Sequence, residues 1–136
     1  MPAQWVSSRK GCSPLPPEDC LFCRLVAEGD HVYRADGFVA IRDIAPKAPT
    51  HLLVLPERHV DTFRDVGELE ADEAKRMLEF VAETAEKVGL KDYRVLVNVG
   101  ATAGQTVFHL HWHILGGGDA SSVDVPAAIA TAEVDE

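Results

Sequence analysis

The spacing of hydrophobic and polar positions changes period several times between Leu21 and Leu115, and each change marks an element. Leu21, Phe22, Leu25 and Val26 recur at helical spacing and Gly29 follows, which predicts a short helix over 21–28. Short β-like runs then occupy 32–34 and 38–42, on either side of Ala35-Asp36-Gly37. Asp-Gly is a hairpin signal because Gly accepts the positive φ of the turn. Residues 51–55 predict a third strand, ended by Pro56. A helical period returns over 68–88, where Ala74, Met77, Leu78, Val81, Ala85 and Val88 fall on one face. Glu68, Glu70, Asp72 and Glu73 stand in its first turns, Lys87 in its last, and Gly89 follows, as the helix dipole and a C-terminal cap favour. Residues 93–99 and 106–115 predict strands four and five, joined by the loop 100–104. The sum is an α+β domain: a five-stranded, mainly antiparallel sheet with one long and one short helix.

The flanks read differently. Residues 1–17 hold four of the eight prolines and little apolar periodicity, which predicts an extended, flexible arm. Residues 119–136 are small, acidic and without aromatics, which predicts a flexible acidic tail. The folded unit is expected over 18–118, with no internal repeat. A chain of 136 residues, 46% hydrophobic and 26% charged, suffices for one domain with a real core. A formal net charge of −9 argues against a nucleic-acid polymer or an anionic membrane as main partner, while leaving room for a small phosphate ligand. The first ten residues lack a signal-peptide core, and no stretch approaches the ~20 apolar residues of a membrane span. The expected location is cytoplasmic. There, the pair Cys20 and Cys23 reads as a metal or redox site rather than a structural disulfide, with Cys12 a free thiol in the arm.

Residues 106–115 read T-V-F-H-L-H-W-H-I-L. On a strand His109, His111 and His113 share one face, and Leu110, Trp112 and Ile114 share the other. Three imidazoles on one face call for a wet or ligand-filled cleft. Two chemistries fit. Histidines at i and i+2 can chelate one zinc, although the outer pair stand ~13 Å apart along a strand. A neutral imidazole can also attack phosphorus near pH 7. The preceding Gly104-Gln105-Thr106 favours phosphate: glycine allows close backbone approach, and a hydroxyl and N–H groups can cradle oxygens. Asn98 adds an amide donor. No Walker-type loop and no G-x-G-x-x-G is present.

His109-Leu-His111-Trp-His113-Ile-Leu115 resembles the signature of the histidine triad (HIT) family. So do Asp43-Ile-Ala-Pro-Lys-Ala-Pro-Thr-His51, Asn98-Val-Gly100, Gly104-Gln-Thr-Val-Phe-His109 and Gly116-Gly117, in the order of the Hint branch of histidine triad nucleotide-binding proteins. The resemblance runs from Cys20 to Gly117. It implies a homodimer whose two sheets join into one of ten strands, and hydrolysis of purine nucleoside phosphoramidates or related nucleoside monophosphate conjugates. His111 would be the nucleophile that forms a nucleotidyl-histidine intermediate, with His109 and His51 supporting. His113, Asn98, Gly104, Gln105 and Thr106 would hold the phosphate. Asp43 would take the ribose hydroxyls, a role suited to an acceptor-only carboxylate. Leu21, Phe22, Leu25, Ile41 and Ile44 would wall the base. Thr106 stands where serine is commoner. Similar bacterial proteins carry a C-x-x-C that binds zinc with two histidines, which on that analogy makes Cys20, Cys23, His59 and His109 the ligands of a structural zinc. Competing readings are a catalytic zinc hydrolase with strand histidines as ligands, a non-catalytic nucleotide-binding module and a dinucleoside polyphosphate hydrolase.

Overall fold

Five strands and two helices account for the regular structure of residues 20–118, the part of the chain that the computed structural model describes. The arm 1–17 with Cys12 and the tail 119–136 lie outside the described residues. In chain order the elements are α1 (Leu21–Glu28), β1 (Tyr33–Ala35), β2 (Phe38–Arg42), β3 (Thr50–Pro56), α2 (Ala71–Lys87), β4 (Tyr93–Leu96) and β5 (Trp112–Gly116). The sheet runs β1-β2-β3-β5-β4, and every neighbouring pair is antiparallel.

Period-two alternation divides the sheet into two faces. Phe38, Ala40, Leu52, Val54 and Ile114 join Met77, Phe80, Val81 and Ala85 of α2 in one core. Val39, Ile41, Leu53 and Leu55 join Cys20, Phe22 and Val26 of the α1 segment in a second core on the opposite face. The site is built on this second face. Asp36 (φ 56°) and Gly37 (φ 91°) both take positive φ, the pairing that a two-residue hairpin turn requires. The Cys20 sulfur caps α1 by accepting the Cys23 N–H at 3.4 Å. Among the described residues no helix is long and apolar enough to cross a membrane.

Three spans differ from the sequence expectation by more than one residue at an end. The long helix begins at Ala71 rather than 68, because a Glu70–Glu73 capping box sets its first turn. Before it, Phe63–Glu68 forms a 3-10 turn with its own Thr62–Asp65 box. Leu78, expected in the buried face, is 55% exposed, whereas Phe80 is fully buried. The helix is rolled toward Phe80, which stacks on Tyr33 at 4.9 Å and meets Phe38 at 5.8 Å. Thr84 enters the core because its hydroxyl donates to the Phe80 carbonyl at 2.8 Å. Strand four ends at Leu96 rather than 99, and strand five starts at Trp112 rather than 106, since their ladder stops at the Leu96–His113 pair. Residues 106–111 leave the ladder, and the Leu110 N–H bonds the Val60 carbonyl instead. The facing pattern persists without the ladder: Leu110 and Ile114 stay in the α2 core.

Candidate active site and metal centre

Four imidazoles stand on or beside β3 and β5, and each has one ring nitrogen engaged by a partner that fixes its tautomer. The His111 Nδ1 lies 2.8 Å from the His109 carbonyl oxygen. A carbonyl only accepts, so Nδ1 carries the proton and Nε2 is left with its lone pair. The His111 ring meets the edge of Phe22 at 4.9 Å. Burial drives its pKa from 6.5 down to about 4, so at neutral pH the ring is uncharged.

His113 and His51 form a second, directional pair. The Lys47 N–H donates to the His51 Nδ1 at 3.0 Å, so the His51 proton sits on Nε2. That Nε2 lies 3.0 Å from the His113 Nδ1 and 3.5 Å from the Asp43 carboxylate. His113 therefore accepts at Nδ1 and carries its own proton on Nε2, which is buried and has no partner among the described residues. Burial lowers the His113 pKa to about 3, helped by the neighbouring His111 and His51, and burial also lowers that of His51. The direction of donation runs from backbone through two neutral rings to a free N–H.

These rings open on a cleft lined by Leu21, Phe22, Leu25, Ile41, Asp43 and Ile44, with Lys47, Leu53, Thr106 and Val107 beside them. Ile44 is at the rim, 97% exposed. Asp43 is oriented by the Ala45 N–H, which it accepts at 2.8 Å. The Asn98 Nδ2 is buried without a partner among the described residues. Gly104, at φ 103°, closes the loop by donating its N–H to the Ala101 carbonyl. Gln105 departs from the phosphate role expected of it. Its side chain is committed to backbone, donating to the Asp61 and Val107 carbonyls at 2.8 and 3.1 Å and accepting from Gly100 at 2.9 Å.

His109 is fully buried and turns away from the cleft toward the cysteines. Its Nε2 donates to the Pro56 carbonyl at 2.8 Å, leaving Nδ1 free 3.5 Å from both sulfurs. His59 does the same: Nε2 faces the Asp61 carboxylate at 2.6 Å, and Nδ1 lies 3.3 Å from the Cys23 sulfur. The four donor atoms lie within 4.8 Å of one another. A tetrahedral zinc with ordinary Zn–S and Zn–N bonds has S···N edges of ~3.6 Å, so this set fits zinc. Burial raises the Cys20 thiol, but the His109 and His59 rings and the Cys23 N–H beside the sulfur outweigh it and lower the thiol to about 5. Burial and the Cys20 sulfur push Cys23 up to about 12. Asp43, His51 and His113 also converge within 4.8 Å. They do not fit a metal, because the inward nitrogen of His51 already carries its proton. The four-donor cluster is closed and leaves no position for substrate, which speaks against a catalytic metal there.

Sequence reasoning missed Asp61, whose signal was its i+2 spacing from His59, and the tautomer-setting atoms of Pro56 and Lys47. The last two are backbone atoms, so no side-chain pattern could announce them. Lys47 and Leu53 also line the cleft without having been singled out.

The chain matches the HIT domain family over residues 24–120. The purine nucleoside phosphoramidase of Escherichia coli K12 is 36% identical over 105 residues, covering 74% of this chain and 88% of that protein. A HIT-like protein of Chlamydia pneumoniae is 44% identical over 92 residues, covering 65% and 81%. Among solved structures, a HIT family hydrolase from Clostridium thermocellum is 37% identical with a TM-score of 0.69, covering 75% of this chain and 93% of that one. A HIT family hydrolase from Legionella pneumophila is 36% identical with a TM-score of 0.68, covering 74% and 95%.

Proposed function

The chain belongs to the HIT domain family, and from that premise we propose that it hydrolyses purine nucleoside phosphoramidates and related nucleoside monophosphate conjugates, as a member of the Hint branch. The observation that carries the reading is the His111 tautomer: Nδ1–H held by the His109 carbonyl, Nε2 bare, and the ring neutral.

The His111 Nε2 attacks the α-phosphorus, and the P–N bond to the leaving amine breaks as the N–P bond to His111 forms. The departing nitrogen takes its proton from solvent, while the His113 Nε2–H, buried and without a partner among the described residues, donates a hydrogen bond to a phosphoryl oxygen. The His51 Nε2–H, 3.0 Å from the His113 Nδ1, keeps that proton on the His113 Nε2. Water then attacks the nucleotidyl-histidine, the N–P bond breaks to leave His111 neutral with its Nδ1–H, and the water's proton goes to solvent as the nucleoside monophosphate is released. Asn98 and Thr106 hold the phosphoryl oxygens with His113; Gly104, expected among them, has spent its one N–H on the Ala101 carbonyl and only shapes the loop. Asp43 accepts from the ribose hydroxyls, and Leu21, Phe22, Leu25, Ile41 and Ile44 enclose a purine.

Cys20, Cys23, His59 and His109 would hold a zinc ion, which supplies structural cross-linking rather than chemistry at phosphorus. Its reach is through His109, whose carbonyl positions His111. The chain acts as a homodimer through β4, an edge strand with Tyr93 and Val95 exposed, making a ten-stranded sheet.

The test is AMP release from an adenosine 5′-phosphoramidate that carries a fluorescent amine. Wild type turns over, His111→Ala loses at least ~1,000-fold in kcat/KM, and Cys20→Ala keeps a substantial part of the activity. Wild type that binds AMP but releases none from the substrate would reduce the protein to a binding module.

A further inference from the structure

Gln105 is 3% exposed and stands one residue from the cleft-lining Thr106, yet no donor of its amide is left for a phosphate. Both Nε2 hydrogens go to carbonyls, of Asp61 at 2.8 Å and Val107 at 3.1 Å. Its Oε1 accepts the Gly100 N–H at 2.9 Å. The loop it grips has positive φ at both glycine ends, 90° at Gly100 and 103° at Gly104. That loop is closed on itself by the N–H groups of residues 103, 104 and 105 bonding to the carbonyls of Gly100 and Ala101. The other end of the grip is the segment 59–61. There the Asp61 carboxylate faces the His59 Nε2 at 2.6 Å, and the His59 Nδ1 points at the Cys23 sulfur. One side chain thus joins the phosphate loop, the approach to the histidine strand and the segment that carries a member of the Cys/His cluster.

We infer that Gln105 is a positioning residue: it sets the height of the Gly100–Gly104 loop relative to segment 59–61, and so ties phosphate recognition to the Cys/His cluster. The inference rests on reading the cleft as a nucleotide site. It assigns Gln105 no contact with substrate. An amide is the residue that fits, because the role needs two donors and one acceptor on one planar group. Glutamate keeps the shape and the acceptor, loses both donors, and sets an anion against two carbonyls.

Isothermal titration calorimetry with AMP and with adenosine separates the possibilities, because only AMP carries the phosphate. In Gln105→Glu and Gln105→Ala the AMP affinity falls about tenfold, the size of one lost hydrogen bond of ~1.4 kcal/mol, while adenosine affinity stays within about twofold. A merely structural role would weaken both ligands together, and an equal change, or none, overturns the assignment. A second arm begins with wild type, so its first reading survives variants that fail to fold. Stripping the bound metal with a chelator lowers AMP affinity but not adenosine affinity, and zinc restores it. In Gln105→Ala the same treatment adds nothing further. Unchanged AMP affinity in stripped wild type, or a purified protein that takes up no zinc, overturns the tie to the cluster. Wild type that binds neither AMP nor adenosine sinks the nucleotide reading itself, an outcome distinct from either of these.

Discussion

The nucleophile's pKa is the residue-scale property with the clearest consequence. Burial holds His111 at about 4 and His113 at about 3, both well below the ordinary imidazole value of 6.5. The neutral rings are the working forms: one offers a lone pair and the other an N–H. Catalysis should therefore not follow an ordinary histidine titration. We expect kcat/KM to hold level from pH 7 to about 5 and its acid limb to fall toward pH 4; an inflection between 6 and 7 would show His111 to be solvated and ordinary. Stability moves with the same groups. In the unfolded chain both histidines take up protons as pH drops through 6.5, while in the folded chain they do not until about 4 and 3. The unfolded state then binds more protons, so the stability present above pH 6.5 is progressively lost as pH falls toward 4. Urea titrations at pH 7 and pH 5 should give a lower midpoint at pH 5, and His111→Gln should narrow the gap.

At the element scale, most of the architecture was written in the periodicities, because helices and strands must each present an apolar side. The short helix, the Asp36-Gly37 hairpin and the antiparallel sheet follow from local pattern. What local pattern could not supply was the roll of α2. By spacing alone Leu78 is as good a core residue as Met77, but the stack of Phe80 against Tyr33 and Phe38 turns Leu78 outward. Removing Phe80 should thus cost far more than removing Leu78. Phe80→Ala is expected to lower unfolding stability by ~3–5 kcal/mol and Leu78→Ala by less than ~0.5 kcal/mol in denaturant titrations; comparable losses would place the helix at the sequence-derived roll. The early end of the histidine strand was equally illegible. Nothing in T-V-F-H-L-H announces that residues 106–111 leave the ladder, since their side chains keep alternating faces. The departure depends on the Val60 carbonyl taking the Leu110 N–H, a contact fifty residues away in sequence. The histidines as chemical groups were plain from the sequence. Their division between cleft and cysteine cluster was not visible in the alternation alone and came from the family resemblance.

At the scale of the whole molecule, the described sheet ends in two unlike edges. β1 is three residues long and bound to its hairpin partner, whereas β4 offers four residues, with Tyr93 and Val95 half exposed. A free edge with apolar side chains is a template for pairing. If two copies pair there, Val95→Lys should set like charges close together across the two-fold axis and shift the protein toward monomer. Sedimentation velocity at micromolar concentration would read this directly, and a wild type that sediments as a monomer would remove β4 as an interface.

The origin of the imidazole tautomers reaches beyond any single assay. Three of the five rings take their proton placement from main-chain atoms: His109 from the Pro56 carbonyl, His111 from the His109 carbonyl and His51 from the Lys47 amide. The other two depend on side chains: His113 on the His51 ring and His59 on Asp61. Main-chain atoms are the one part of a protein that ordinary amino-acid replacement leaves alone. The surroundings of the cleft can drift widely in composition while the proton inventory of its rings stays put, and the settings are exposed only to changes that bend the backbone or, as proline at position 47 would, delete an amide hydrogen. Robustness to sequence change is thereby built into the chemistry itself, and the burden of selectivity is left to side chains that are free to vary.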